Sequence, residues 1–291
     1  NIGVKIVTPI TGMTFTEDKE LNQLGYGQEY QIKYTLDPVD ATASLLTWTS
    51  DNPDMISVDK TGKLKVHTTK AASAVITASY GPVVQNVTVT VADGRFWYSL
   101  GNGLGNGLDN NWYLDGNNAS VVSSDGNKTT VQMGSGYRGD LWLARSGKGK
   151  IVNVTPADYR YFAIKVGFKS QLVPGKNKPN GCIKLEIFDD GIKKIGPEYF
   201  GTGGDANNRY EILGASEIST TEPNVLYYDL QSKYKTVTPT DWNQVFDLSQ
   251  CKFVIADFPE TAQTYDLYWI RSFKSIEELQ AFVDSENNTN E

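Results

Sequence analysis

Histidine and cysteine are nearly missing from this chain: 291 residues hold one His and two Cys. A lone imidazole, His67 between Val66 and Thr68, leaves no adequate parts for a zinc site or a Ser-His relay. Basic tracts are missing too. The formal net charge is -7, spread along the chain, and no Lys or Arg cluster offers phosphate neutralisation, which excludes a nucleic acid as partner. No stretch reaches the ~18 apolar residues of a membrane span, and no basic leader with an apolar core opens the chain. Cys182 and Cys251 either pair or remain buried thiols, and one bridge at most says little about compartment. Catalysis would have to run on carboxylates. Glu186, Asp189 and Asp190 cluster near one strand end, but nothing in their neighbourhood raises a pKa as a glycosidase acid requires. The chain is read as a non-enzyme.

What is abundant is aromatic material: 6 Trp, 16 Tyr and 11 Phe, many beside Gly, Asn and Asp. The length favours two domains, and the pattern is extended throughout. Val87-Thr88-Val89-Thr90-Val91 alternates with period two, which a helix cannot use. About seven short strands in roughly 90 residues is a sandwich density. The boundary is placed near Ala92-Asp93-Gly94-Arg95, followed at once by Phe96-Trp97-Tyr98-Ser99-Leu100. Residues 93–285 then carry strand candidates at 119–123, 129–133, 140–145, 150–154, 160–168, 182–188, 209–213, 225–230, 251–256 and 265–270. Without βαβ spacing, these predict an antiparallel jelly-roll β-sandwich. The expected fold class is all-β: an immunoglobulin-like sandwich over 1–92, a larger jelly roll over 93–285, and a flexible tail at 286–291. A single short helix near the end is expected to close one end of the sandwich. Ser275 caps it, Glu278 stands three residues on, and Ile276, Leu279, Phe282 and Val283 share a side.

Residues 4–92 resemble the group 2 bacterial immunoglobulin-like modules of surface proteins. The matching segments are Leu36-Asp37-Pro38-Val39-Asp40-Ala41-Thr42, Leu46-Thr47-Trp48-Thr49-Ser50-Asp51-Asn52-Pro53, Ile56-Ser57-Val58-Asp59 with Gly62-Lys63-Leu64, and Ala74-Val75-Ile76-Thr77-Ala78. Lys70-Ala71-Ala72 stands where the pattern usually has a glycine. The second domain resembles those that follow such modules in surface lipoproteins of gut Bacteroidetes, and more loosely jelly-roll carbohydrate-binding modules, mainly through Tyr265-Asp266-Leu267-Tyr268-Trp269-Ile270-Arg271-Ser272-Phe273-Lys274-Ser275. These resemblances imply a spacer followed by a binding module, on the outer face of the outer membrane or secreted, touching the membrane only through a lipid anchor outside this chain.

Candidate ligand residues follow from aromatic rings set beside polar groups, since an indole stacks on a sugar while Arg and Asp bond its hydroxyls. Tyr137-Arg138-Gly139-Asp140-Leu141-Trp142-Leu143-Ala144-Arg145 is the most suggestive run, and its glycan candidates are Tyr137, Arg138, Asp140, Trp142 and Arg145. Trp112 and Tyr113 leave a Gly- and Asn-rich loop, and Trp242 sits outside any alternating run. Each of the tryptophans either packs locally or faces ligand. Asp109 and Asp205 are candidates for a structural calcium; no other cofactor is implied. The expected function is non-catalytic binding of a neutral oligo- or polysaccharide. The rival class is surface adhesion through protein partners, outer-membrane proteins among them, without a sugar site. Solvent-accessible Trp112, Trp142 or Trp242 would favour the first; all three packed inside would favour the second.

Overall fold

The computed structural model describes residues 7–105, 112–115, 119–133, 138–145, 148–149, 152–169, 182–189, 193–194, 210–231, 246–256 and 263–288. The chain is all-β with a C-terminal helix, and it divides into two compact units, Asn1–Ala92 and Asp93–Glu291. The long strand Val83–Ser99 contributes residues to both.

In the first unit, Ala72–Tyr80 pairs antiparallel with residues 83–91 on one side and with Thr47–Ser50 on the other. A second sheet sets Lys63–Val66 between Glu29–Gln31 and Ile56–Val58. Alternation decides what is buried. Val89 and Val91 are inside with Ile76, Ala78, Leu64 and Val66, and Val87 packs against them. Trp48 is a core residue, stacked on Phe15 at 5.8 Å and tilted against Tyr34 at 5.5 Å. Gly62 makes this packing possible. Its φ is +83°, and a Cβ there would lie 2.6 Å from the Trp48 ring, so only glycine satisfies both the turn and the indole. The turn is also pinned by the Asp59 carboxylate, which accepts from the backbone N–H groups of Thr61 and Lys63.

The second unit is a sandwich of two antiparallel sheets. One sets Phe246–Ala256 between Arg138–Arg145 and Cys182–Asp189, with Tyr113–Asp115 beyond Arg138–Arg145. The other sets Thr264–Phe273 beside Tyr161–Phe168, which pairs in turn with Asn224–Asp229. Thr129–Gln132 and residues 97–99 line the far edge of Thr264–Phe273. Between the sheets lies an aromatic core. Phe253 from the first sheet touches Phe162 at 5.3 Å, Tyr228 at 5.6 Å and Trp112 at 5.9 Å, and Phe96 meets Phe162 at 5.3 Å. Rings in this tilted, interdigitated arrangement contribute about 0.5–1.5 kcal/mol per pair beyond their buried area.

The helix Ile276–Asn288 differs from expectation in place and length. Rather than closing an end of the sandwich, Leu279, Phe282 and Val283 pack on the outer face of the second sheet, on Ala163, Val225, Trp269 and Phe273. Trp97 joins them, 5.2 Å from Phe282 and 5.6 Å from Phe273. The Ser275 hydroxyl caps the helix by accepting from the Glu278 N–H at 3.2 Å, while the Glu278 carboxylate reaches back to the Lys274 N–H at 2.6 Å. Residues 286–288, read from sequence as a flexible tail, are helical. Glu286 holds this end down by accepting from the Trp269 indole and the Lys165 ammonium, each at 3.1 Å.

Cys182 and Cys251 cannot bridge each other. They sit on adjacent strands, but Cys182 faces Ala256 and Cys251 faces Ile187. Five residues of offset is about 16 Å along a strand, against the ~7 Å limit for a disulfide.

Candidate functional site

The structure brings several sequence-predicted residues onto one sheet but buries two of the candidate stacking rings, Trp112 and Trp142. Tyr113 stands opposite Trp142, and Asp115 opposite Asp140; Trp142 in turn faces Lys252, and Lys252 faces Glu186. Arg138 is opposite Ala256 and Arg145 opposite Lys148. Trp112, however, is fully buried and Trp142 only 7% exposed. For Trp112 the cause is alternation. It follows the inward set of Leu114 and Leu141 and meets Tyr98 edge-on at 5.8 Å. Buried as they are, neither ring offers a platform to a sugar. Tyr137, Trp242, Asp109 and Asp205 lie outside the described residues. Among the described residues no group of three or more His, Cys, Asp or Glu is placed to hold a metal ion.

A different site opens on the outer face of the second sheet, where the strand Tyr161–Phe168 turns its polar residues outward. It is a cleft of about 790 Å³. Its floor is Lys165, Val225 and Tyr268; one wall is the helix through Gln280, Val283, Asp284 and Asn287; the other is the connection 212–224 through Leu213, Ser219 and Glu222. Asn127 lines it as well. Tyr268 sits at a register shift between Lys165 and Val166 in this strand pair. The bulge lets both Tyr268 and Trp269 serve the outer face, Trp269 beneath the helix and Tyr268 half-buried in the cleft.

Charges fix the floor. The Lys165 ammonium lies 5.6 Å from the Tyr268 ring centre and pairs with Glu286 at 3.1 Å, so one cation steadies ring and helix together. Burial raises the Tyr268 phenol above its ordinary pKa, and the nearby carboxylates of Asp266, Asp125 and Glu222 add to the rise against an opposing pull from Lys128. Beside it, Asp266 is a nearly buried carboxylate with 3% of its side chain exposed. It accepts from Lys128 at 2.8 Å, Thr130 at 2.7 Å and Lys169 at 3.1 Å. Burial alone would raise its pKa, but these donors outweigh burial and hold the carboxyl below the ordinary value.

The walls present amides and carboxylates. Asn224 is buried and spent on the loop: its Oδ1 accepts from the Ser219 N–H at 2.7 Å and its amide donates to the Ser219 carbonyl at 2.9 Å. Glu286 is committed to Lys165 and Trp269. The half-buried Tyr268 ring shares the cleft with Asn127, Asn287 and the pair Gln280–Asp284, whose amide donates to the carboxylate at 2.8 Å, so hydrogen-bonding groups surround one apolar plane.

Sequence reasoning passed over Tyr268 and Lys165 as site residues. The available signal was the outward half of the alternation, Asp266 and Tyr268 on one strand and Lys165 on its neighbour. That signal could not say which segments, drawn from Asn127 at one extreme to Asn287 at the other, would wall them in.

The family model described as "Domain of unknown function (DUF4979)" matches residues 103–279. No curated protein matches the sequence. Solved structures similar to this chain include a suggested glycoside hydrolase from Bacteroides thetaiotaomicron, at 12% identity and TM-score 0.33, covering 94% of this chain and 99% of that one. A protein solved with xylogluco-oligosaccharide is 9% identical, with TM-score 0.29 and coverage of 91% and 57%. The CBM51-2 and INT domains of Clostridium perfringens ZmpB are 13% identical, with TM-score 0.22 and coverage of 79% and 40%. At such identities and TM-scores, none of these likenesses bears on activity.

Proposed function

The chain belongs to the DUF4979 family, and from that premise we propose that it is a non-catalytic glycan-binding protein of the cell exterior, with the first unit as spacer and the Tyr268 cleft as the sugar site. The observation that carries this is the cleft itself. One half-buried aromatic ring, steadied by Lys165, is surrounded by side-chain amides and carboxylates, which is the composition that recognises the apolar face and the hydroxyls of a neutral sugar. A net charge of -7 disfavours polyanionic glycans. Among the carboxylates that line the cleft, Glu286 is engaged with Lys165 and Trp269 and Asp284 with Gln280, which fits binding without turnover.

The test is a neutral-glycan array on the whole chain, followed by calorimetry on the glycans retained. Tyr268→Ala is expected to weaken binding at least tenfold while melting within a few degrees of the parent. An array without signal, or full affinity in Tyr268→Ala, would remove this site.

A protein-binding role without a sugar site is the second reading, and one observation favours it. The edge strand Ser120–Ser124 is exposed along its whole length, with Val121 at 42% and Val122 at 58%.

A further inference from the structure

We infer that the Tyr268 cleft is one end of a longer track, and that its ligand is a linear neutral oligosaccharide of three or more sugar residues; this rests on the glycan-binding reading of the cleft. The outer face of the second sheet does not stop at the cleft wall. Val225, on the cleft floor, stands opposite Lys165, and two residues along the same strand Tyr227 stands opposite Ala163. Period two puts Tyr227 on the same face as Val225.

Tyr227 is half-buried and meets the half-buried Tyr161 edge-on at 6.1 Å and 74°. A guanidinium completes this second aromatic patch. Arg160 lies 5.4 Å from the Tyr161 ring and is held in a two-pronged bond to Asp229, Nε to Oδ1 at 2.7 Å and Nη2 to Oδ2 at 2.6 Å. Glu211, exposed, stands opposite Tyr227 at its other edge. The patch thus repeats the make-up of the cleft: phenol rings flanked by a fixed cation and carboxylates.

The spacing sets the ligand length. From the level of Lys165 to that of Ala163 is about 7 Å along the strands, and from the strand of Tyr268 to that of Tyr227 is two strand gaps, about 9.6 Å. Tyr268 and Tyr227 are therefore on the order of 12 Å apart at the backbone. One sugar ring cannot touch both. Three linked rings can, with the outer two stacked and the middle one passing over Val225 and Leu213.

The experiment is calorimetry of the whole chain with neutral cello-, manno- and laminari-oligosaccharides of two to six residues, using the parent, Tyr227→Ala, Tyr227→Phe, Tyr161→Ala and Tyr268→Ala. The parent is expected to gain at least tenfold in affinity between dimer and tetramer. Tyr227→Ala and Tyr161→Ala should cancel most of that gain, Tyr227→Phe should keep it, and Tyr268→Ala should weaken every length. Equal affinity for dimers and tetramers, or a length gain that survives Tyr227→Ala, would overturn the track while leaving the cleft as a sugar site. A parent that binds none of the ladders would remove the glycan reading itself, and the track with it.

Discussion

Asp266→Asn is the substitution whose consequence can be worked furthest. The wild-type carboxylate is 3% exposed and neutralises two ammoniums, Lys128 at 2.8 Å and Lys169 at 3.1 Å. It ties together three strands, because Thr130 and Gly167 are its register partners on either side. Asparagine keeps the shape and removes the charge. Breaking a fully buried pair costs about 3–5 kcal/mol, but Lys128 and Lys169 are 30% and 54% exposed and can turn toward water. A cost of about 2 kcal/mol is therefore expected, which for a unit of this size lowers its Tm by roughly 4–8 °C. The pH dependence has a fixed sign. The folded-state pKa of Asp266 lies below the ordinary carboxyl value, so its stabilisation is complete above the unfolded pKa of about 3.9 and is lost as pH falls through the folded value. Scanning calorimetry at pH 7 and at steps below pH 4 should show the gap between parent and variant closing with acid. A Tm within 1 °C of the parent at pH 7, or a gap that widens on acidification, would refute the role given to this carboxylate.

Three other outcomes follow from the packing. Gly62→Ala forces a Cβ into the Trp48 indole at a positive φ and should destabilise the first unit by about 2–4 kcal/mol, read in urea melts. Phe253→Ala removes the ring at the centre of the second core and should cost about 3–5 kcal/mol, with the Trp112 fluorescence environment changing in the native state. Thiol titration of the unfolded chain without reductant should find two free thiols per molecule; an intramolecular Cys182–Cys251 bridge would contradict the strand register.

Much of the fold was legible because period-two patterning is a direct consequence of burying one side of an extended chain. The alternation at Val87–Val91 and at Tyr161–Phe168 located real strands, and the spacing Ser275 to Glu278 located the helix start. The helix end was misplaced because polarity was read as fraying, whereas Glu286 is polar for a reason: it serves Lys165 and Trp269. Composition could not decide the tryptophans. Trp112 and Trp142 sit beside Gly, Asn and Asp in sequence, a setting equally open to packing and to ligand, and both are packed. The cleft was legible only in pieces. The helix that forms one wall and the outward alternation of Tyr268 and Lys165 can be read from the sequence, but the bulge at Lys165/Val166 and the connection that forms the other wall leave no periodic trace.

Backbone amide shifts, followed while a neutral array-selected oligosaccharide is titrated into the whole chain, put the glycan site to the most direct test. Perturbations are expected to concentrate at residues 213–225, Tyr268 and 280–287. Shifts confined to the sheet that carries Tyr113 and Trp142, or no shifts at saturating sugar, would contradict the assignment of the Tyr268 cleft as the binding site.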